Sequence, residues 1–242
     1  MSLEYQNDEQ KAPDEMAGAA TMPFPLYTAI LIACIAIVSI AQLTFGLNES
    51  IDAAGFNKPL FRDHHEYWRL LTGAALHGGV LHVALNGYAL YMFGKLIEML
   101  SNRAHLAIVF LLAAIGGSLL SLVFMPNGVS VGASGGIVGL LGYMAIYAFR
   151  RRDFISPEFR RSLVFNIGFI FLYGVLLYNV IDNFGHLGGL ITGGVYGLIQ
   201  IPSDPYTDPR NAAPVTRILG VAALAIFIAT SVLSILLIVS YR

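Results

Sequence analysis

Long apolar runs constrain the fold of this chain more than any other feature. Hydrophobic residues make up 56% of the 242 residues, and charged residues make up only 12%. The apolar residues are gathered into runs long enough to cross a hydrocarbon layer of roughly 30 Å, where a helix satisfies its own backbone hydrogen bonds. The sequence therefore predicts an all-α, polytopic membrane helix bundle, an integral multi-pass protein embedded in a lipid bilayer.

Polar breaks divide the apolar sequence into about seven predicted helices. Residues 1–23 are polar and are predicted to form a disordered tail, whereas residues 202–214 are predicted to form a cytoplasmic loop. The longest link, at 47–75, is expected to lie along the membrane interface, with Trp68 and Arg69 at headgroup depth. The predicted helices lie near 24–46, 76–98, 104–124, 134–149, 162–178, 186–201 and 215–240.

Lysine and arginine predict the orientation, because these residues are retained on the cytoplasmic side. With a cytoplasmic N-terminus, the inner segments carry ten basic residues and the outer segments carry four. The cluster from Arg150 to Arg161 then places the end of the fourth helix in the cytoplasm, so Ser134 faces outward. The C-terminus is expected outside, in a plasma or inner membrane. The same alternation places four further polar residues in outward halves of their helices: His77, His82, Asn86 and His186.

Two of the predicted helices, 134–149 and 186–201, are too short to cross the bilayer fully. At about 1.5 Å per residue, each covers only about 24 Å. The loop at 125–133 should then dip inward, and irregular backbone at that depth must line water or be buried in protein. The sequence predicts a water-filled outer cavity that ends at Ser134.

Glycine spacing predicts which helices touch. Gly135 and Gly139 lie four residues apart, and a second stripe runs every four residues from Gly185 to Gly197. Small residues at this interval let helix backbones approach closely. If the two stripes face each other, Ser134 and His186 can meet as a nucleophile and its general base.

Acyl transfer also needs hydrogen-bond donors for the developing oxyanion. The backbone N–H of Ser134 opens a helix, and His82 and Asn86 project from one face of the second helix as possible further donors. Asp182 precedes His186 by four residues and is expected in the loop, so no third orienting group is obvious and a dyad is favoured.

Other interpretations stay open at this point. A serine in a membrane helix is often a packing residue, His186 can be a structural hydrogen-bonding residue, and His77, His82 and Asn86 can bridge helices. A small transporter would show internal repeats, which the sequence lacks.

The net charge of −1 gives no reason to expect nucleic acid. Six histidines without a His-Glu-x-x-His pattern argue against a metal site, and no cofactor is predicted.

Several motifs occur in a fixed order along the chain. Glu-Tyr-Trp-Arg stands at 66–69, His-x4-His-x3-Asn is formed by His77, His82 and Asn86, Gly-Ala-Ser-Gly stands at 132–135, and Asp-Asn-Phe-Gly-His-Leu-Gly-Gly stands at 182–189. Together they resemble the motifs of the rhomboid family of intramembrane serine proteases. Gly94 and Glu98 are similar to the glycine and glutamate that end the family's second helix.

The resemblance implies a six-helix catalytic core at 24–201 and an additional C-terminal transmembrane helix at 215–242. It implies a cofactor-independent serine endopeptidase whose partners are the transmembrane helices of substrate membrane proteins. These helices would enter laterally past the fifth helix, near Phe165, Phe169 and Tyr173. A catalytically silent relative that binds transmembrane helices is the main alternative.

The resemblance also assigns roles to individual residues. Ser134 and His186 would form the dyad, and His82 and Asn86 would join the Ser134 amide in the oxyanion hole. Two positions depart from the family pattern: Val138 replaces a frequent aromatic residue, and Gly185 replaces a usual alanine. The remaining site residues are implied to have supporting roles: His77, Gly132, Gly135 and Gly189.

Overall fold

The computed structural model describes residues 24–241, so the predicted tail at 1–23 lies outside the described residues. Within this range the chain forms ten helices and two short strands. The helices are α1 (Leu26–Phe45), α2 (Leu47–Ala54), α3 (Lys58–Asp63), α4 (Arg69–Ala75), α5 (Val80–Leu100), α6 (Arg103–Phe124), α7 (Ser134–Arg150), α8 (Pro157–Leu176), α9 (Asn183–Gln200) and α10 (Pro214–Ser240). The strands are β1 (Phe56–Asn57) and β2 (Val129–Ser130).

Five of these helices, α1, α5, α6, α8 and α10, are long and apolar enough to cross a membrane. Helices α7 and α9 have 17 and 18 residues and are shorter, as the sequence predicts. Each predicted apolar helix is present, although some boundaries differ. Helix α8 begins at Pro157 rather than near 162, because Ser156 accepts a hydrogen bond from the Phe159 N–H and proline suits the first helical position.

The link between α1 and α5 is a folded element of the protein. Strand β1 pairs antiparallel with β2, so that Phe56 lies opposite Ser130. Arg69 is buried, forms an ion pair with Glu66, and donates to the carbonyl oxygens of Asp52 and Gly55 at 3.0 and 2.9 Å. The depth of Arg69 in the membrane stays a prediction, and the structure adds that its guanidinium satisfies backbone carbonyls inside the link. Trp68 remains 42% exposed.

Helices α6, α7 and α9 are in backbone contact through glycine. A Cβ atom on Gly189 would collide with the Gly135 carbonyl oxygen, and one on Gly193 would collide with that of Gly139. On a second face of α9, a Cβ on Gly188 would lie 2.6 Å from the Gly116 carbonyl oxygen of α6. The predicted contact between the two glycine stripes is confirmed. Such close approach is the usual basis of helix association in membranes.

A carboxylate holds the start of α1 against α5. Glu98 accepts two hydrogen bonds of 2.7 Å from Thr28, one from its backbone N–H and one from its hydroxyl. Because the residue before α1 is Pro25, no side chain of its own sequence caps this helix. A Cβ on Gly94 would lie 2.6 Å from Thr28 Oγ1, so glycine is needed for the approach. These contacts explain the Gly94 and Glu98 pair that the sequence analysis singled out.

Helix α10 is an integral part of the bundle. It packs on α6 and α1 and buries Phe227, whose ring meets that of Phe110 at a centroid distance of 5.1 Å. Its buried hydroxyls, Ser231 and Ser234, donate to carbonyl oxygens of the preceding turn. These serines therefore need no partner on another helix.

The glycine contact generates a test with a matched control. We expect Gly193→Ala to lower the free energy of unfolding by about 1–3 kcal/mol, because the added methyl group overpacks the contact between α7 and α9. Gly168→Ala on α8 adds the same methyl group where no atom lies within 4 Å, and it should be neutral or raise stability by up to about 1 kcal/mol. Thermal unfolding in detergent, followed by circular dichroism, measures both. Equal stability of the two variants would contradict the backbone contact.

Candidate active site

Ser134 is the first residue of α7, at the end of an irregular segment. Gly132, two residues earlier, has φ = 126° and donates its N–H to the Gly73 carbonyl oxygen at 2.9 Å. This positive φ is strained for any residue with a side chain. The segment turns directly into α7, and the first backbone N–H groups of a helix have no partner inside it. Ser134 therefore presents a hydroxyl beside free amide donors at the positive end of a helix dipole.

His186 lies in the first turn of α9. Its backbone N–H donates to the Asp182 carbonyl oxygen at 3.0 Å, and the residue is 9% exposed. Asp182 is the N-cap of α9, because its Oδ1 accepts from the Gly185 N–H at 2.8 Å. The helix thus begins three residues before the predicted start at 186. A capping rule applied to Asp182 could have found this boundary.

Ser134 and His186 line one cavity. The cavity is also bordered by Gly132, Ser130 and Asp182. Across the described residues, no hydrogen bond joins the Ser134 hydroxyl to the His186 ring. Catalytic hydrogen bonds are often long in unliganded sites and tighten when substrate binds. The geometry therefore brings the two predicted residues to one cavity, and their pairing in catalysis stays a prediction.

The His186 ring has no orienting partner on its inner nitrogen. Nδ1 is buried without a hydrogen-bond partner. The Asp182 carboxylate does not fill that role, because its oxygens accept from Gly185, Ser121 and Ser130. Among the described residues, none orients the ring through Nδ1, so a third catalytic group is not seen and the dyad stays a prediction.

His82 lies close to the start of α7. Its Nδ1 accepts a hydrogen bond of 3.2 Å from the Gly78 N–H, so a neutral ring carries its proton on Nε2. A Cβ on Gly132 would lie 2.9 Å from this Nε2 and 3.8 Å from Ser134 Oγ. The ring thus lies beside the segment that leads into Ser134, and glycine at 132 makes room for it.

Asn86 lies one turn after His82 on α5 and is 6% exposed. Its Nδ2 donates to the His82 carbonyl oxygen at 3.0 Å. An amide nitrogen carries two protons, so one N–H remains for another acceptor. Asn86 therefore supports the turn that carries His82 and keeps a second donor.

His77 supports this corner through its ring and its backbone. The ring packs edge-on against that of His82 at 5.0 Å between centroids, and its two nitrogens are buried without partners. Gln42 of α1 holds the backbone, because it accepts from the His77 N–H at 2.9 Å and donates to the His77 carbonyl oxygen at 3.0 Å. Sequence analysis missed Gln42, although a lone amide inside an apolar run was the available signal.

The two departures from the family pattern are both in tightly packed places. Val138 is 3% exposed and lies one turn after Ser134 in α7. A Cβ on Gly185 would lie 3.0 Å from the Asp182 carboxyl carbon, which is tighter than ordinary packing. Glycine at 185 therefore accommodates the capping carboxylate.

In the part of the chain that the structure describes, no three His, Cys, Asp or Glu residues form a metal-binding group.

Comparison with known proteins agrees with the motifs. The family profile of the Rhomboid domain matches residues 64–203. The chain is similar to RHOMBOID-like protein 6, mitochondrial, of Arabidopsis thaliana, with 32% identity over 62% of this chain and 49% of that protein. It is 34% identical to rhomboid protease GluP of Bacillus subtilis over 80% of this chain and 38% of that protein.

A further relative is named as inactive. It is the inactive RHOMBOID-like protein 8 of Arabidopsis thaliana, with 29% identity over 57% of this chain and 39% of that protein. The matched regions thus span less than half the length of each of these three relatives.

The free energy of unfolding tests the two hydrogen bonds between Gln42 and the His77 backbone. We expect Gln42→Leu to lower the free energy of unfolding by about 1–3 kcal/mol for each of the two buried backbone groups that it leaves unpaired. Thr44→Val on the same helix is the control, because the Thr44 hydroxyl is exposed and bonds only to the Ile40 carbonyl of its own helix. Thermal unfolding of both variants in detergent provides the comparison. Similar stability of the two would contradict a structural role for Gln42.

Proposed function

The chain belongs to the rhomboid family, and from this premise we propose that it is an intramembrane serine endopeptidase that cleaves transmembrane segments of membrane proteins. One observation carries the proposal. Ser134 and His186 lie in the first turns of two helices whose backbones touch through glycine, and both residues line one cavity. A serine and a histidine held together in this way can form a nucleophile and its base.

The proposed reaction is acyl transfer to Ser134. The Ser134 hydroxyl attacks the scissile carbonyl carbon while His186 Nε2 takes its proton. The tetrahedral intermediate collapses, the C–N bond breaks, and His186 returns the proton to the leaving amine. A water molecule then attacks the ester carbonyl carbon while His186 takes its proton. The ester C–O bond breaks, His186 returns the proton to Ser134 Oγ, and the carboxylic acid product leaves.

Three donors are proposed for the oxyanion: the Ser134 amide, His82 Nε2 and the remaining N–H of Asn86. The Ser134 amide lies at the start of α7, where the helix dipole also favours a negative charge. The position of His82 is supported by its approach to Gly132, and that of Asn86 by its hydrogen bond to the His82 carbonyl oxygen in the preceding turn of α5. His77, Gly135 and Gly189 support this constellation through packing.

We propose that α1 and α5 to α9 form the six-helix core, with α10 as a seventh transmembrane helix. The N-terminus would be cytoplasmic, the C-terminus outside, and the cavity open to the outer side. The arginines after α7 support this topology. Arg151, for example, donates to the carbonyl oxygens of Pro202 and Thr207 at 3.1 and 2.8 Å, so it ties together two segments of the proposed cytoplasmic side.

The proposed path for a substrate helix runs past α8. This helix buries only Leu163 and Gly174 among its 20 residues. Its aromatic residues Phe165, Phe169 and Tyr173 are exposed and stack on one another at 6.2 and 5.5 Å between ring centroids. A loosely held helix with an apolar outer face can separate from its neighbours at low cost.

A catalytically silent protein that binds transmembrane helices is the second candidate. Two observations favour it: the similarity to a relative named as inactive, and the absence of a Ser134–His186 hydrogen bond among the described residues. The retention of both residues in one cavity weighs against it. The family match does not support the small-transporter interpretation.

Covalent labelling separates these candidates. We expect a fluorophosphonate to label the protein in detergent, and we expect Ser134→Ala and His186→Ala to abolish labelling, because only an activated hydroxyl attacks the probe. Ser231→Ala is the control, since this buried serine bonds within α10 and lies far along the chain from the cavity. A folded protein that is not labelled, or labelling that survives Ser134→Ala, would reject the nucleophile.

Cleavage of a model transmembrane substrate tests the oxyanion donors. We expect His82→Ala to lower kcat by roughly 10²–10³-fold with little change in KM, because the donor acts only in the transition state. Asn86→Ala should also lower kcat. His64→Ala removes an exposed histidine of the interfacial link and should leave kcat unchanged. Cleavage by His82→Ala at the rate of the unmodified protein would remove His82 from the site.

A further inference from the structure

A buried lysine lies beside the candidate site without a part in the proposed chemistry. Lys58 opens α3, and its side chain has no exposed surface. Its Nζ donates to Ser130 Oγ at 2.8 Å and lies 3.9 Å from Asp182 Oδ2. An ammonium buried in a protein is costly unless it is paired and hydrogen-bonded. Burial lowers the pKa of Lys58, and the neighbouring Asp182 carboxylate opposes this change.

The Asp182 carboxylate joins several segments at one point. Oδ1 accepts from the Gly185 N–H and caps α9. Oδ2 accepts from the Ser130 hydroxyl of β2 at 2.6 Å and from the Ser121 hydroxyl near the end of α6. With Lys58 from the interfacial link, four separate segments share a single charged centre. We call Lys58, Ser121, Ser130 and Asp182 the Lys58 cluster.

The Lys58 cluster connects the two halves of the candidate dyad. Ser130 precedes Ser134 by four residues, and Asp182 precedes His186 by four. The Asp182 carbonyl oxygen accepts the His186 N–H directly. Movement of Asp182 therefore moves the turn that carries His186, and movement of Ser130 moves the segment that leads to Ser134.

Two residues of the Lys58 cluster also border the cavity. Ser130 and Asp182 line the same cavity as Ser134 and His186. Strand pairing between Phe56 and Ser130 adds a backbone connection between the link and β2, two residues before Lys58. The cluster is thus the polar edge of the cavity on the side of the interfacial link.

We propose that Lys58 and Asp182 are positioning residues for the dyad, whose shared contacts with Ser130 hold the first turn of α9 in register with the start of α7. This proposal rests on the proposed function, because it needs Ser134 and His186 to react together. Neither residue touches the reacting atoms. Their effect is on the fraction of molecules in which the hydroxyl and the imidazole can meet, and small misplacements of that kind have large effects on rate.

The rate of fluorophosphonate labelling tests the proposal. For Lys58→Met we expect the limiting rate constant for labelling, kinact, to fall about 10- to 100-fold while KI for the probe changes by less than about threefold. Asp182→Asn keeps one oxygen to cap the Gly185 N–H, but it removes the charge and replaces Oδ2, the acceptor of Ser121 and Ser130, with an amide donor, so it should also lower kinact. The double variant should recover part of the loss of Lys58→Met, because it leaves no unpaired buried charge.

Controls separate positioning from folding. Lys95→Met removes a lysine of α5 whose ammonium contacts Tyr91, outside the cavity, and it should be labelled like the unmodified protein. Rates are expressed per folded molecule, from size-exclusion chromatography and circular dichroism. If Lys58→Met cannot be purified folded, Asp182→Asn decides, because asparagine retains the cap of α9.

The outcomes are distinct. Labelling of Asp182→Asn and of folded Lys58→Met with unchanged kinact per folded molecule overturns the positioning role while the proposed function stands. The positioning role is also overturned if the decreases in kinact of the two single variants simply add in the double variant. Additive decreases would mean that the two residues are not coupled. If the folded, unmodified protein is not labelled at all, the proposed function itself fails.

Discussion

Direct contact between helix backbones is the interaction on which the rest of this structure depends. Glycine at 135 and 139 on α7 faces glycine at 189 and 193 on α9, and no side chain fits between them. In a bilayer, where lipid is as apolar as leucine, such contacts provide much of the attraction between helices. The close approach places the first turns of two short helices beside each other. Ser134 and His186 can share one cavity only because of this spacing.

Two groups of polar residues in the described chain have different roles. Ser134 and His186 line the candidate cavity, while His82 lies against Gly132 and Asn86 bonds to the His82 carbonyl. Gln42, Arg69, Glu98 and Asp182 instead satisfy backbone or hydroxyl groups where helices begin or where the chain is irregular. Because an unpaired backbone group is costly in a low-dielectric interior, this second group lets irregular segments exist near the cavity.

Much of the fold could be predicted because its signals are local. The apolar runs, the glycine period and the short length of α7 and α9 are all visible within one helix, and the structure confirms the helices and their contact. The boundaries of α8 and α9 were less accurate, since single capping residues, Ser156 and Asp182, add a turn to each. The roles of Arg69 and Lys58 could not be predicted. Their partners, such as Gly55 and Asp182, become neighbours only in the folded chain.

The folded link between α1 and α5 and helix α8 are held to the rest of the protein to different degrees. On one side, Arg69 fastens α4 to the end of α2, and the pairing of β1 with β2 fastens the link to the loop before α7. On the other side, α8 buries few residues and its stacked aromatic rings face outward. The link is thus tied to its neighbours by buried polar contacts, whereas α8 leaves most of its side chains outside the contacts of the bundle. Substitutions on the exposed face of α8 would therefore disturb few contacts within the protein, whereas substitutions in the link would disturb the loop that leads to Ser134.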